Sequence, residues 1–343
     1  MDKKVYLLLG SLPIEGNEKS YGGATILMRS LVDYLHHTDF QYFLISLNKN
    51  SNIIVNYVRI LFYLTIKIGK ANVLFLNISN NGAFILGPVA YCFSKVFKKK
   101  MVFRLFGSNF EKNFNLKSKL VQNIAINTFL KSDLVIVETV QNHDYIDKLG
   151  VKEIIQLPNV RKRISKVVVD KEFSKRFVFI SHVKESKGVL EIIKASKLLP
   201  EDYTIDVYGP IKEKFDINLF KNSNVIYRGV LSPQEVIATL LKYDVILLPS
   251  FYQGEGHPGI LVEAMSVGIP AISTNWNSIS DVVEDGYNGF LIEIKNSKAL
   301  VKAILSFSQD IYPIMSENSI QKFKEFDQEI VYRELASKLS LIQ

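Results

Sequence analysis

Residues 245–263 read VILLPSFYQGEGHPGILVE, and the order of elements they spell decides the fold. An apolar strand, Val245 to Leu248, ends at Pro249 and is followed by a glycine-rich loop. An apolar-periodic helix then opens near Pro258, whose fixed φ suits the first helical turn. The N–H groups of Gly259 and Ile260 lack intrahelical partners there, and with the helix dipole behind them they form an anion site. Gly256 and Gly259 let the backbone approach a diphosphate closely. Glu255 lies just before the helix, in reach of a sugar beyond the phosphates. Glu263 lies about one turn inside, where a carboxylate accepts two hydrogen bonds from a ribose diol. Two acids around an anion site are costly unless they face hydroxyls, so the arrangement fits a sugar–phosphate–ribose ligand. Taken alone, the stretch also fits a surface Gly/Pro loop with a glutamate at a helix start.

The same strand-then-helix alternation extends along the whole chain, which predicts parallel sheets built from βαβ units. Strands are expected at 4–9, 41–47, 73–76, 101–105 and 133–137, then at 177–181, 204–208, 224–227, 244–248, 270–273 and 289–292. Helices are expected at 23–36, 53–69, 83–97 and 118–130, then at 187–198, 232–242, 258–267 and 297–307, with a long helical region from about 313. Pro158 to Lys175 is polar and basic and lacks a period, the composition of a linker. The expected organisation is an N-terminal domain at 1–165, a C-terminal domain at 166–320, and a helix at 321–343 packing back on the N-terminal domain. At 343 residues, two domains are the natural expectation.

Composition narrows the class. The single cysteine, Cys92, cannot form an internal disulfide and reads as a small core residue. The apolar run Val5–Leu9 is too short for a signal peptide, and Ile53–Ile68 carries Asn56, Arg59 and Lys67, so it reads as an amphipathic or mostly buried helix. Residues 1–160 hold 19 Lys and Arg against 11 Asp and Glu, and the remainder is balanced, so the whole +8 excess sits in the first half. The clusters Lys95, Lys98, Lys99, Lys100 and Lys112, Lys117, Lys119 fit an anionic membrane surface, a phosphate-bearing acceptor, nucleic acid, or a solvated face. No Asp-x-Asp and no metal-ligand spacing occurs, and no Gly-x-Gly-x-x-Gly follows the first strand, which weighs against a dehydrogenase.

Glu255 and Glu263, with seven residues between them inside GEGHPGILVEAMSVGIPAIST, resemble the signature of the retaining glycosyltransferases of family 4 (glycosyl transferases group 1). Glu284 to Phe290, EDGYNGF, resembles that family's turn after the signature helix. The resemblance is strong from about 177 to 292 and diffuse before it. It implies the GT-B fold, an α/β architecture of two Rossmann-like doubly wound domains facing a central cleft. It also implies donor sugar at Glu255, ribose at Glu263, and phosphates at the Gly259 and Ile260 backbone. Lys187-Gly188 matches the family's Lys-Gly, a cation aimed at the diphosphate, but His182 stands where the family has an arginine. His182 therefore reads either as a phosphate contact or as structural filler. Gly22 and Gly23, after Tyr21, match the family's Gly-Gly turn, and also fit a plain helix-start loop. Turns at Gly209 and at Gly229-Val230 are expected to line the base pocket. Where the family has a histidine after its fourth strand, this chain has Arg104-Leu105-Phe106-Gly107-Ser108.

The resulting expectation is a hexosyltransferase moving a sugar from a nucleotide-diphosphate donor to a hydroxyl of a lipid-linked saccharide. Glu255 and Lys187 would be catalytic, with no metal, no cofactor and no nucleic-acid partner. Such chemistry in bacteria builds surface polysaccharide, capsule or O-antigen, which implies a cytoplasmic protein peripheral on the inner membrane face. The rival readings are a non-catalytic nucleotide-sugar-binding or scaffold protein, and a sugar-nucleotide epimerase on the same fold.

Overall fold

The alternating pattern folds as two six-stranded parallel sheets in the computed structural model of the chain, which describes residues 4–14, 22–38, 40–48, 52–164, 172–212, 215–221 and 223–342. The chain divides into two units, 1–158 with 331–343, and 159–330. Tyr21, Asp2, Lys3 and linker positions 165–171 lie outside the described residues.

The first unit runs β1 (Val5–Gly10), α1 (Gly23–His36), β2 (Gln41–Ser46), α2 (Ile53–Ile68), β3 (Val73–Ser79), α3 (Asn80–Val96) and β4 (Lys100–Phe106). It continues through α4 (Phe110–Asn115), α5 (Lys119–Asn127), β5 (Leu134–Val137), α6 (Val140–Lys148) and β6 (Ile154–Gln156). Sheet order is β2-β1-β3-β4-β5-β6. Strands such as VLFLNIS in β3 are buried on both faces, as helices on either side of a parallel sheet require. The residues from 331 onward belong to this unit: Lys4 Nζ donates to the Ser340 and Ile342 carbonyls, both at 2.7 Å, and buried Tyr332 donates to the Leu27 carbonyl at 3.4 Å.

The second unit contains β7 (Arg176–Ile180), α7 (Val189–Ser196), β8 (Thr204–Tyr208), α8 (Asn218–Lys221), β9 (Val225–Tyr227) and α9 (Glu235–Leu240). β10 (Val245–Leu248), α10 (Gly259–Met265), β11 (Ala271–Thr274), β12 (Gly289–Ile292), α11 (Ser297–Leu305) and α12 (Ile311–Phe323) follow, before α13 (Gln328–Leu341) crosses into the first unit. Sheet order β12-β11-β10-β7-β8-β9 puts β7 and β10 side by side. Connections leave this pair in opposite directions, so their carboxyl ends form the topological switch point where open α/β sheets bind ligands.

Several expectations are corrected. The unit boundary falls at Pro158 instead of 165, because Asn159 and Arg161 bond into the second unit. The helix expected at 187–198 starts at Val189, since left-handed Gly188 ends a short 3-10 turn at Glu185–Lys187. The helical region from 313 is two helices separated by a 3-10 turn at Lys324–Phe326. The edge strand β6 and helices α4, α6 and α8 were not expected. Cys92 is exposed on α3 instead of buried. The helix at 53–68 buries Ile60, Leu64 and Ile68 and half-buries Tyr57, but leaves Ile54, Val55, Val58, Leu61, Phe62, Tyr63 and Ile66 in solvent.

Candidate functional site

The two loops that leave the switch-point strands touch. A Cβ at Gly188 would collide with the Pro249 carbonyl, and Gly188 has φ +81°, so glycine alone lets the loop after β7 close on the loop after β10. Phe251 N–H donates to the Ser186 carbonyl at 2.9 Å, securing the same approach. Lys187 Nζ then lies 2.8 and 2.5 Å from the two Glu255 carboxylate oxygens. Ser250 Oγ donates to Glu255 Oε2 at 2.6 Å. Both ends of this ion pair are nearly buried, and such a pair persists only with satisfying hydrogen bonds around it.

Cations gather beside the pair. Lys184 Nζ lies 4.2 Å and Lys187 Nζ 5.1 Å from the centroid of the Tyr252 ring, which faces both ammonium groups. His182, though open to solvent along part of its ring, is held below its ordinary value. Partial desolvation is the main cause, followed by Lys212, Lys187 and Lys184, with Glu255 opposing. The same three lysines that disfavour the imidazolium make the spot electropositive, so an anion bound there would restore its proton.

Glu263, one turn into α10, meets a residue that composition had assigned to a linker. Arg161 Nε donates to Glu263 Oε1 at 2.6 Å, and its NH1 donates to Asn159 Oδ1 at 2.5 Å and the Val160 carbonyl at 2.9 Å. A Cβ at Gly259 would run into the Arg161 guanidinium, so glycine at the first position of α10 makes room for it. Asn159 Nδ2 donates to the His257 carbonyl at 2.8 Å, and the buried His257 ring bonds Asp281 Oδ2 through Nε2 at 2.9 Å. Each carboxylate meets a base within the fold, Lys187 for Glu255 and Arg161 for Glu263. Ahead of the first intrahelical bond, Leu261 N–H to Pro258 O at 3.0 Å, stand the N–H groups of Gly259 and Ile260.

Gly209 and Gly229 sit at the carboxyl ends of β8 and β9, joined by a 2.8 Å bond from Gly209 N–H to the Gly229 carbonyl, with Val230 exposed beyond them. Ser181 N–H donates to the Tyr208 carbonyl at 3.2 Å, so these turns border the His182 loop. Gly256 lies half-buried in the loop before α10. Gly22 and Gly23 belong to the first unit, where Gly22 caps α1 and its N–H donates to Thr25 Oγ1 at 2.9 Å. That unit has its own concavity of about 290 Å³ at the carboxyl ends of β1, β2 and β3, lined in part by Ser11, Asn48, Asn56, Tyr57 and Ser79. Arg104 is buried in β4 over the Phe106 ring, its guanidinium pushed down by desolvation and supported by Tyr332 and Glu138. Among the described residues no group of three His, Cys, Asp or Glu side chains has the geometry to hold a metal.

Arg161, Ser250, Tyr252, Lys184 and Lys212 were not singled out from sequence. Ser250 was the most legible of them, as a hydroxyl five residues before Glu255 at a strand end.

Comparison with known proteins bears on the family and the fold. The profile described as Glycosyl transferases group 1 matches residues 160–325, inside the second unit. The chain is 30% identical over 179 residues to the amylovoran biosynthesis glycosyltransferase AmsK of Erwinia amylovora, covering 48% of this chain and 44% of that protein. It is 29% identical over 156 residues to an Escherichia coli UDP-Gal:alpha-D-GlcNAc-diphosphoundecaprenol alpha-1,3-galactosyltransferase, covering 43% and 40%. Each match thus spans less than half the length of the curated relative. Among solved structures, Anabaena HepE in complex with UDP superposes with a TM-score of 0.73 at 18% identity, over 98% of this chain and 99% of that one. Residues 160–325 are therefore a domain of the glycosyl transferases group 1 family, in a chain with the two-sheet GT-B fold.

Proposed function

We propose that this protein is a glycosyltransferase that moves a hexose from a nucleoside-diphosphate sugar to a hydroxyl of a lipid-linked saccharide, in the synthesis of a surface polysaccharide such as capsule or O-antigen. The observation that carries the reading is the convergence at the β7/β10 switch point. Lys187, Lys184, Lys212 and His182 surround one electropositive spot there, with Glu255 bonded to Lys187 and Glu263 one turn into the adjoining helix. A diphosphate suits the cations and the α10 N–H groups, a ribose diol suits Glu263, and a hexose suits Glu255. Gly209, Gly229 and Val230 border the place left for the base. Two relatives bear names that include amylovoran biosynthesis and a diphosphoundecaprenol acceptor, and these support the acceptor class.

In the reaction, the bond from C1 of the sugar to the β-phosphate oxygen breaks as the bond from C1 to the acceptor oxygen forms on the same face, so the configuration is retained. The acceptor proton passes to the departing phosphate. Lys187 meets the charge that grows on that phosphate, which makes it a barrier-lowering group as well as a binding group. No metal ion is required in this scheme. Membrane proximity follows from the acceptor, and the lysines of the first unit supply attraction to an anionic inner face of about 1 kcal/mol each.

Incubating the protein with nucleoside-diphosphate sugars, with and without undecaprenyl-diphosphate saccharide, tests the reading. Transfer with retained anomeric configuration by NMR, unchanged in a strong chelator, is expected. A protein that binds nucleotide sugar yet neither releases nucleoside diphosphate nor extends the acceptor is a binder. Conversion of the donor into its epimer identifies the other rival.

A further inference from the structure

Helix α2 is apolar nearly all the way round, a pattern that in a globular unit goes with complete burial. Only one side of it is covered: Ile60, Leu64 and Ile68 pack into the core. On the other side Ile54 is 70%, Val58 61%, Phe62 59% and Ile66 50% exposed, at helical spacing of four residues, with Val55, Leu61 and Tyr63 beside them. This row is the largest run of exposed apolar side chains on any one helix among the described residues, and such a face marks a binding surface.

The charges around it indicate what covers it. From Phe40 to Phe110 the sequence contains no Asp or Glu. Lys67 and Lys70 close the C-terminal end of α2, and Lys99 Nζ reaches the Gly69 carbonyl at 3.3 Å, with exposed Lys95 and Lys98 nearby in sequence. A second copy of the chain, pairing the same face on itself, would set these lysines against a segment, 40–110, that carries no acid to answer them. An apolar helix face rimmed by lysines, with aromatic Phe62 and Tyr63 in it, matches instead the boundary between acyl chains and anionic headgroups.

We infer that α2 lies in the plane of an anionic membrane surface, its Ile54–Val58–Phe62–Ile66 row inserted among acyl chains and the lysines at its C-terminal end on lipid phosphates. The inner side of the same helix contributes Asn56 and Tyr57 to the cavity at the carboxyl ends of β1, β2 and β3. Docking therefore sets that cavity beside the lipid surface, where the saccharide of a lipid-linked acceptor stands. The meaning for the acceptor rests on the function proposed above; the contact with lipid rests on α2 alone.

The full-length protein is mixed with vesicles of phosphatidylglycerol and phosphatidylcholine, or of phosphatidylcholine alone, at low and high salt, with no donor or acceptor present. Binding to the anionic vesicles that weakens with salt is expected, and Val58→Glu with Phe62→Glu should reduce it by about tenfold or more even at low salt. Both positions are exposed, so the melting temperature should hold. As a measurement that does not depend on the double variant, Phe62→Cys in a Cys92→Ser background carries an environment-sensitive fluorophore, whose emission should shift to the blue on anionic vesicles. Equal vesicle binding by wild type and double variant, no binding by wild type at low salt, or an unshifted fluorophore overturns the inference. So does a lipid-free dimer that the double variant dissociates, since the face would then belong to a second copy. Because no substrate is present, failure here and failure to find a lipid-linked acceptor are separate results.

Discussion

Arg161 Nε lies 2.6 Å from Glu263 Oε1, although 102 positions separate them and Arg161 comes from a stretch with the composition of a linker. The contact engages one carboxylate oxygen of Glu263; under the function proposed above the other meets the ribose, and Arg161 is its positioning residue. Arg161→Gln should weaken UDP binding by about tenfold, the effect of disordering one charge-assisted contact. The loss should be much smaller for 2′-deoxy-UDP, which lacks half of the diol. Equal losses for the two nucleotides, by calorimetry, would show that Arg161 serves the fold and not the ribose contact.

Lys187→Met leaves the Glu255 carboxylate nearly buried beside Ser250 with its cation gone, and should cost about 3 kcal/mol of stability. Adding Glu255→Gln should recover most of that, because an amide tolerates the site without a counter-charge. Turnover should stay low in the double variant, since the cation for the leaving phosphate is still missing. A double variant that regains both stability and turnover would reduce Lys187 to a structural partner of Glu255.

His182 titrates below its ordinary value of 6.5. As pH falls through 6.5 the unfolded chain takes up a proton that the folded chain still refuses. The stability at this position is therefore intact above about 6.5 and declines on acidification below it. His182→Gln should flatten that acid limb in urea unfolding. A bound diphosphate reverses the balance by favouring the imidazolium, so nucleotide binding slightly above pH 6 should take up protons. Calorimetry in two buffers of different ionisation enthalpy would detect this, and uptake that persists in His182→Gln would assign the proton elsewhere.

Gly188→Ala meets both a left-handed backbone and the Pro249 carbonyl, and should destabilise by about 2 kcal/mol or more while opening the Lys187–Glu255 contact. Gly229→Ala, also at positive φ but facing open space, should cost only about 1 kcal/mol. Urea midpoints that fail to separate the two variants would show that the close approach at Gly188 relaxes freely.

The sheets were legible because parallel strands buried on both faces are short unbroken apolar runs, such as Val245–Leu248 and Leu134–Val137. Three-residue β6 has too little length to show a period, and α6 hides its buried face, Asn142 and Ile146, behind polar residues. In the site, the spacing of Glu255 and Glu263 is local and was visible. Their counter-ions are not local: Lys187 lies 68 positions from Glu255, and no periodicity joins Arg161 to Glu263. The choice between an amphipathic and a mostly buried α2 stayed open for a related reason, since an apolar stretch does not say how much of the helix the fold covers.

The C-terminal segment has a consequence for biosynthesis. The first unit is completed only by Val331 to Ile342, so Lys4 waits for the Ser340 and Ile342 carbonyls and Tyr6 for that of Leu339 until the intervening 159–330 unit has been made. Residues 159–330 are contiguous and have no such delay. On the ribosome the usual N-to-C order of domain maturation is thus inverted: the later-begun unit, 159–330, can reach its native state first, while the earlier one stays incomplete until residues 331–342 emerge. Loss of residues 331–342 would then harm the unit that contains β1 more than the unit, 159–330, that directly precedes them.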